Sequence, residues 1–295
     1  MAKIIDGRTI AAQIRTEVGR EVARLRDAGI ELKLSAILVG EDPASRIYVR
    51  TKRRACSEVG ITSEVMKLPS TVPEEELLQR IDSLNGDSRV SGILVQRPLP
   101  GHISVDEVLE AVTPEKDVDG FHPRNLGRLL AGSPSFVPAT PLGIQELLLR
   151  SGHPPDGRDV VIVGRSDLVG KPLAALLMRK SEGANATVTV CHSSTRRLEA
   201  HTKRANILVV AAGSPGFIRG HMVKAGAVVI DVGINRVEDA RNPKGYRIVG
   251  DVAFEEVSKV ARAITPVPGG VGPMTVAMLL RNTVTAGSRQ SGQTF

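Results

Sequence analysis

Asp159-Val-Val-Ile-Val-Gly-Arg-Ser-Asp-Leu-Val-Gly-Lys-Pro-Leu-Ala-Ala-Leu-Leu-Met178 is the stretch that decides the fold of this chain. Residues 160–163 form a continuous apolar run, which is typical of a parallel strand covered on both faces. Leu173, Leu176 and Leu177 then recur at helical spacing. The stretch therefore predicts a buried strand, a tight turn and a helix in direct succession.

The turn runs from Gly164 to Gly170, and its backbone N–H groups and helix N-terminus are suited to an anion. It does not match the P-loop pattern G-x-x-x-x-G-K-[ST], because five residues separate the glycines and Pro172 follows Lys171. Ser166 also stands where the pattern G-x-G-x-x-G has its second glycine. We interpret it as a divergent dinucleotide-binding turn, with an ordinary βα turn as the alternative.

Length and composition favour a globular protein of two domains. The chain has 295 residues, of which 41% are hydrophobic and 24% charged, and single cores stop growing near roughly 250–300 residues. No apolar run approaches the ~18 residues of a spanning helix, and the first residues lack the apolar core of a signal peptide. We expect a cytoplasmic protein with no membrane partner.

Charge and residue types exclude several function classes. The net charge is +7, but aromatic residues make up 2% and Trp is absent, which leaves few platforms for stacked bases. We therefore expect small anionic ligands and no nucleic acid.

Cys56 and Cys191 are too far apart in sequence for a thiolate cluster, and the Asp117/Asp119 pair lacks a third ligand at suitable spacing. We predict no metal site.

Strands and helices alternate along the chain, which predicts an α/β fold with parallel sheets and right-handed crossovers. A proline-rich segment, residues 131–141, resists regular structure and is predicted to separate two domains. Before it, the predicted elements are helix 4–29, strand 34–40, helix 43–59, strand 62–68, helix 74–84, strand 92–96 and helix 104–112. After it, they are helix 142–150, strands 159–163, 187–191, 207–211, 227–232 and 262–265, helix 274–284 and a polar tail.

Tyr48 and Lys52 are four residues apart on helix 43–59 and therefore share a face. Neighbouring cations disfavour protonation of an amine, so Lys52 is a candidate acid–base group; the alternative is a solvated basic face. Gln96 closes its strand at the carboxyl end, where open α/β sheets bind ligands. Asp119 follows helix 104–112 in a loop. The alternative for both Gln96 and Asp119 is a structural role, in which the side chain caps a loop or stabilises a turn.

Two further loops carry candidate binding residues. His192-Ser-Ser-Thr-Arg-Arg197 follows a predicted strand and contains no acid that would bind the 2′-hydroxyl of NAD. Arg165, Arg196 and Arg197 instead favour the 2′-phosphate of NADP, with surface arginines as the alternative. The loop Thr265-Pro-Val-Pro-Gly-Gly-Val-Gly-Pro-Met-Thr275 is rich in glycine and proline, so its backbone can approach a flat ligand closely.

Five motifs in this order resemble the bifunctional methylenetetrahydrofolate dehydrogenase/methenyltetrahydrofolate cyclohydrolase family, and the resemblance covers nearly the whole chain. The motifs are Tyr48-Val-Arg-Thr-Lys52, Gly92-Ile-Leu-Val-Gln-Arg-Pro-Leu-Pro100, Lys116-Asp-Val-Asp-Gly-Phe-His-Pro123, Val163-Gly-Arg-Ser-Asp-Leu-Val-Gly-Lys-Pro172 and Pro268-Gly-Gly-Val-Gly-Pro-Met-Thr275.

The resemblance implies an enzyme of one-carbon metabolism, usually a homodimer, that oxidises 5,10-methylenetetrahydrofolate with NADP⁺ and hydrolyses the product to 10-formyltetrahydrofolate. It implies a three-layer folate and catalytic domain at 1–138, rejoined by helix 274–284, a Rossmann-type NADP domain at 139–273, a tail at 285–295 and a folate cleft between the domains. Basic residues suit folates that carry glutamate tails.

The resemblance also implies roles for individual residues. Lys52, Tyr48 and Gln96 are the expected catalytic residues. The expected folate contacts are Tyr48, Asp119, Pro268, Gly269 and Gly270. The expected NADP contacts are Gly164, Arg165, Ser166, Val169, Gly170, His192, Ser193, Arg196, Arg197, Gly233 and Ile234.

Departures from the family leave two alternatives open. The family commonly has Leu at Arg97, Lys at Arg54, Cys at Ala139 and Asp at Ala253. An extra cation at position 97 near the cleft can alter the tuning of Lys52, and with it the ratio of the two activities. The alternatives are a dehydrogenase-only relative that uses NAD, and a non-catalytic NADP-binding regulator.

Overall fold

The computed structural model describes residues 1–243 and 245–292, and these divide into two compact units. One unit consists of Met1–Ala11 and Thr140–Thr275, and we call it the six-stranded unit after its main sheet. The other consists of Ala12–Ala139 and the chain from Val276 onward, and we call it the three-stranded unit. Among the described residues, no helix combines the length and apolar character that crossing a membrane requires.

The elements up to the end of the proline-rich segment are β1 (Lys3–Ile4), α1 (Gly7–Asp27), β2 (Lys33–Val39), α2 (Pro43–Val59), β3 (Thr62–Leu68), α3 (Glu74–Gly86), β4 (Gly92–Gln96), α4 (Val105–Ala111), α5 (Pro123–Leu130) and α6 (Ala139–Arg150). The later elements are β5 (Asp159–Val163), α7 (Gly170–Leu177), β6 (Thr187–Cys191), α8 (Leu198–Thr202), β7 (Ile207–Val210), β8 (Val228–Asp231), β9 (Asn235–Glu238), β10 (Tyr246–Val249), α9 (Phe254–Val257), β11 (Ala263–Ile264) and α10 (Val271–Gln290).

The sheet of the three-stranded unit has the order β3-β2-β4, and both pairings are parallel. On one face, Ile37 and Val39 pack with Leu77 and Ile81 of α3 in a buried cluster. On the other face lies α2, which begins where the Asp42 side chain accepts a hydrogen bond from the N–H of Ser45. Helix α2 and strand β3 match their predicted bounds, and β2 lies one residue earlier than the predicted strand 34–40. The helix bounds were predictable because Pro43 and Gly60 are strong local signals at its two ends.

The six-stranded sheet has the order β1-β11-β8-β7-β5-β6, and its strands pair in parallel. Successive strands after β5 lie on both of its sides, so the direction of winding reverses next to β5, as in a doubly wound sheet. Val161 and Val163 pack with Leu208 and Val229 in a fully buried cluster. The predicted α/β fold with a doubly wound parallel sheet is confirmed.

Several elements differ from the prediction. The helix predicted at 4–29 begins at Gly7 instead, and Ile4 belongs to β1, which pairs with β11. The antiparallel pair β9–β10 was not predicted, because polar residues interrupt its alternation. Helix α6 begins at Ala139 rather than at 142, since the first turn of a helix tolerates Pro141.

The last helix also extends beyond its predicted end at 284. Residues 285–290 of the predicted tail are helical, and Ala286 and Ser288 are buried. Asn282 anchors the helix by donating hydrogen bonds to the carbonyls of Val118 and Val137, at 2.8 and 3.0 Å. The tail residues 293–295 lie outside the described part of the chain.

Candidate active site

A lysine and a glutamine meet on the α2 face of the three-stranded sheet. Lys52, in the middle of α2, donates a hydrogen bond from Nζ to Oε1 of Gln96 at 3.2 Å. The amide nitrogen of Gln96 donates to the carbonyl of Arg97 at 2.7 Å, which fixes which end of the amide faces the lysine. Both side chains are half-buried. The pair is an amine held at the carboxyl end of a strand beside a neutral polar partner.

Two further residues of α2 belong to this neighbourhood. Tyr48 lies one turn before Lys52 on the same flank, and 44% of its surface is exposed. Cys56 lies one turn after Lys52 and is fully buried. Burial raises the pKa of the Cys56 thiol to about 11, more than Ser63 and the nearby Lys52 lower it. The thiol therefore stays neutral at physiological pH, and of these three α2 residues only Lys52 and Tyr48 have polar groups that are not fully buried.

Arg97 follows directly after the last residue of β4. Its guanidinium lies over the ring of Phe121, 4.5 Å from the ring centre. Its carbonyl accepts hydrogen bonds from Gln96 and from the hydroxyl of Ser45. The Arg97 side chain thus covers the loop that carries Asp119.

The carboxylate that holds this loop in place belongs to Asp117. Asp119, the residue predicted to contact the folate, does not have this structural role. The buried carboxylate of Asp117 accepts hydrogen bonds from the N–H groups of Gly120 and His122 and from the amide of Asn125, at 2.8 to 3.0 Å. Burial raises the pKa of Asp117, and these hydrogen bonds oppose the shift. Asp119 is half-buried and belongs to the same unit as Lys52 and Gln96.

The glycine turn follows β5 as predicted. Gly164 has φ of 132°, and a Cβ there would lie 2.2 Å from the carbonyl oxygen of Ala211, the residue directly after the neighbouring strand β7. Only glycine fits this approach. The Ser166 hydroxyl accepts from the N–H of Val169, and α7 begins at Gly170. Arg165 and Ser166 are exposed at the carboxyl edge of the sheet.

The loop after β6 holds the second group of predicted cofactor contacts. The N–H of His192 donates to the Thr195 hydroxyl at 2.8 Å, and the His192 ring accepts from the N–H of Ser194. Ser193, Arg196 and Arg197 are exposed. Because β5 and β6 pair in parallel, this loop and the glycine turn leave the sheet at the same edge. Within the described residues, no carboxylate forms an ion pair with Arg165, Arg196 or Arg197.

The remaining predicted contacts line one cavity in the six-stranded unit. Gly233 and Ile234 follow β8, and Pro268, Gly269 and Gly270 follow β11, and together they line a cavity of about 170 Å³. Arg8 also lines it and was not singled out in the sequence. Its apolar walls suit the flat ring of a ligand.

Two buried aspartates shape these loops and were also missed in the sequence. Asp231, the last residue of β8, accepts hydrogen bonds from the N–H groups of Gly233, Asp251 and Val252, at 2.9 to 3.0 Å. Asp251 accepts from three consecutive N–H groups, residues 212–214, and from the Asn235 amide.

Burial raises the pKa of Asp231 to about 6, and the negative charge of Asp251 adds to the shift. A Cβ on Gly250 would lie 1.8 Å from an Asp231 carboxylate oxygen, so glycine is required beside the pair. The signal available in the sequence was a polar residue at the carboxyl end of an apolar strand, the position that Gln96 also occupies.

The fold and these sites define a two-domain α/β protein, with one unit built to bind a dinucleotide and another that carries a lysine–glutamine pair. The model of the tetrahydrofolate dehydrogenase/cyclohydrolase catalytic domain matches residues 5–119, and the model of that family's NAD(P)-binding domain matches residues 138–291. The chain belongs to the tetrahydrofolate dehydrogenase/cyclohydrolase family, and the resemblance noted in the sequence is confirmed.

Relatives cover nearly the whole chain. The Bifunctional protein FolD of Salinibacter ruber is 55% identical over 97% of this chain and 95% of its own length. The crystal structure of the bifunctional methylenetetrahydrofolate dehydrogenase/cyclohydrolase from Campylobacter jejuni has a TM-score of 0.92 at 48% identity and covers 98% of this chain and 99% of its own. The Trypanosoma brucei enzyme, complexed with NADP and an inhibitor, has a TM-score of 0.91 at 43% identity and 98% coverage of both chains.

Proposed function

We propose that this protein oxidises 5,10-methylenetetrahydrofolate to 5,10-methenyltetrahydrofolate with NADP⁺ and then hydrolyses the product to 10-formyltetrahydrofolate. Family membership and the bifunctional relatives support both activities. The single observation that carries the proposal for this chain is the hydrogen bond from Lys52 to Gln96, because hydrolysis needs a positioned group that transfers protons.

NADP⁺, when bound, supplies the acceptor for the hydride that leaves the one-carbon bridge. The residues of the six-stranded unit suit this cofactor. Arg165, Arg196 and Arg197 are exposed cations near one sheet edge, and the turn at Gly164 brings the backbone close to that edge. We assign the 2′-phosphate to these arginines and Ser166, and the nearby diphosphate contacts to Val169 and Gly170.

We assign further cofactor contacts to His192 and Ser193 in the loop after β6, and to Gly233 and Ile234 after β8. The pterin contact falls to Asp119, whose carboxylate can accept paired hydrogen bonds from the amino-pyrimidine edge. Tyr48 presents an exposed ring beside Lys52 and contacts the remainder of the folate. The backbone at Pro268, Gly269 and Gly270 completes the set of substrate contacts.

The two steps make different demands on the protein. As hydride leaves, the adjacent nitrogens of the folate delocalise the positive charge, so the first step needs mainly alignment. In the second step water adds to the methenyl carbon and loses one proton, which leaves a hydroxyl group on that carbon. The hydroxyl then loses its proton as the formyl C=O forms, the bond from the carbon to N5 breaks and N5 takes up a proton, so one proton is released overall. Lys52 removes and returns these protons, Gln96 orients its amine, and Tyr48 holds the substrate beside it.

We further propose that the substrate carries an oligoglutamate tail, that the protein works as a homodimer and that it resides in the cytoplasm. The surplus of basic residues supports the tail, and family membership supports the dimer. Cys56 and Cys191 are both free thiols, which agrees with a reducing compartment. Light scattering of the purified protein tests the dimer.

Incubation with 5,10-methylenetetrahydrofolate and either NADP⁺ or NAD⁺, followed by absorbance of the methenyl product, tests the proposed reactions. We expect the absorbance to rise with NADP⁺ and then decay as hydrolysis proceeds. A lasting rise with NAD⁺ alone would identify a dehydrogenase-only enzyme. Absence of any rise would identify a non-catalytic binding protein.

A further inference from the structure

A basic groove lies on the flank of α2 that faces away from Tyr48 and Lys52. It is a cavity of about 480 Å³. Four cations line it, namely Arg46, Arg50, Arg53 and Lys67, and none of its described lining residues is acidic. Leu38, Val49 and Val65 add apolar surface.

The charges of the groove are uncompensated. Within the described chain, no carboxylate forms an ion pair with any of its four cations, whereas the neighbouring Arg54 pairs with Glu58 at 2.9 Å. Like charges gathered without counter-charges repel one another, so the cluster favours an anion with more than one charge. The groove is thus suited to a flexible chain of carboxylates.

The groove and the lysine–glutamine pair occupy the same level of the sheet. Leu38 of β2 is paired with Gln96 on one side and with Lys67 on the other, so all three side chains point to the α2 face. Strands lie about 4.8 Å apart, so Gln96 and Lys67 are separated by roughly 10 Å with α2 above them. At 3.6 residues per turn, Arg50 points about 200° away from both Tyr48 and Lys52.

A ligand chain that starts beside Tyr48 can reach the groove over the exposed side of α2. Ile47 lies on that route between Tyr48 and the arginines, lines the groove and is 65% exposed. A helix with its side chains is about 10 Å across. An extended peptide spans about 3.3–3.6 Å per residue, and a γ-linked glutamate is longer, so about three residues cover the distance.

We propose that the basic groove binds the oligo-γ-glutamate tail of the folate substrate, with carboxylates on Arg46, Arg50, Arg53 and Lys67 and methylene groups on Ile47. The inference rests on the proposed function. It assigns the tail to residues outside those that carry the chemistry, and it explains why a large apolar side chain is exposed next to unpaired arginines.

The test measures kcat/KM for methenyl formation with the mono-, tri- and pentaglutamate forms of 5,10-methylenetetrahydrofolate, at low and high salt. We expect the wild type to prefer the pentaglutamate about tenfold at low salt, which is the combined effect of several surface ion pairs. Most of the gain should appear between mono- and triglutamate, and added salt should reduce it by screening.

The double variant Arg46→Ala/Arg50→Ala should bring the ratio of pentaglutamate to monoglutamate close to one. Arg54→Ala removes one cation from the same helix outside the groove and should keep the wild-type ratio. A wild-type ratio near one, or an unchanged ratio in the double variant, overturns the inference while activity on the monoglutamate leaves the proposed function intact. Absence of methenyl formation from every substrate overturns the proposed function and this inference with it.

Discussion

Lys52 and Gln96 come together on the same face of the three-stranded unit, 3.2 Å apart between Nζ and Oε1, although they are separated by 44 residues in sequence. The contact depends on two independent features. Helix α2 crosses the sheet so that Lys52 faces inward, and the pairing of β4 with β2 sets the height of Gln96. A neutral amide holds the amine in place without adding a charge.

Replacing Gln96 should therefore affect hydrolysis more than hydride transfer. In Gln96→Ala the lysine loses its acceptor, and we expect the rate of methenyl hydrolysis to fall at least about tenfold. Dehydrogenase activity should change by less than about threefold, because alignment with the cofactor does not need the amide. Separate assays of methenyl formation and methenyl decay measure the two rates.

The matched variant Gln96→Glu keeps an oxygen acceptor and adds a negative charge. A carboxylate stabilises the protonated amine, so the pH profile of hydrolysis should move to higher pH. Equal losses of both activities in Gln96→Ala, with no change of profile in Gln96→Glu, would show that Gln96 has only a structural role.

The arginines at the edge of the six-stranded sheet should determine the choice of cofactor. We expect Arg165→Ala to raise KM for NADP⁺ about tenfold and to leave KM for NAD⁺ nearly unchanged, because only NADP⁺ carries the 2′-phosphate. Lys180→Ala removes an exposed cation beyond the other end of α7 and serves as the control. Parallel increases for both cofactors in Arg165→Ala would place the arginine away from the 2′-phosphate.

The buried carboxylate of Asp231 should make stability depend on pH. Its folded pKa of about 6 lies above the ordinary value of 3.8, so the folded protein binds more protons than the unfolded chain between about pH 4 and 6. Stability from this group is therefore greatest below about pH 4 and is lost as the pH rises through 6. The loss amounts to roughly 3 kcal/mol.

Asp231→Asn isolates this contribution, since asparagine does not titrate. Urea unfolding at several pH values should show the stability of the wild type falling relative to the variant by roughly 3 kcal/mol between about pH 3 and 7, of which roughly 2 kcal/mol falls between pH 4 and 6. Carboxylates that do not interact with Asp231 titrate equally in both proteins and cancel in the difference; Asp251, whose charge contributes to the raised pKa of Asp231, is the exception. A difference that stays constant across this range would mean that Asp231 keeps an ordinary pKa in the folded protein.

Position 253 offers a stabilising change. Ala253 precedes α9 and provides no side-chain hydrogen bond to its first turn. An aspartate there, as is common in the family, can accept from a free N–H group and should raise the free energy of unfolding by about 1 kcal/mol. Ala253→Asn provides the same cap without the charge and should retain much of the gain. Thermal unfolding of both variants checks the effect, and an unchanged midpoint in both would exclude a capping deficit.

Much of the fold could be predicted from local signals. The strand, turn and helix from Asp159 to Leu177 follow from an apolar run, two glycines and a leucine period, and α2 follows from Pro43 and Gly60 at its ends. The short strand β1 could not be predicted in this way. It forms only because β11, distant in sequence, offers a free edge.

The candidate site was predictable to a similar degree. Lys52 and Gln96 were recognisable as residue types in motifs, but their contact depends on sheet register. Asp231 and Asp251 were missed because most of their partners are backbone N–H groups, which any residue supplies. The basic groove was missed because its arginines are spread along α2 and its lysine lies on β3. The assignment of roles to the individual site residues stays a prediction.

Lys52→Met tests the central claim most directly. Methenyl formation and methenyl decay are followed in the same preparation with 5,10-methylenetetrahydrofolate and NADP⁺, with Arg54→Met as a control on the same helix. We predict that hydrolysis falls at least about a hundredfold while appreciable hydride transfer remains, because only hydrolysis needs proton transfer by the amine. Loss of the dehydrogenase with hydrolysis retained would contradict the account.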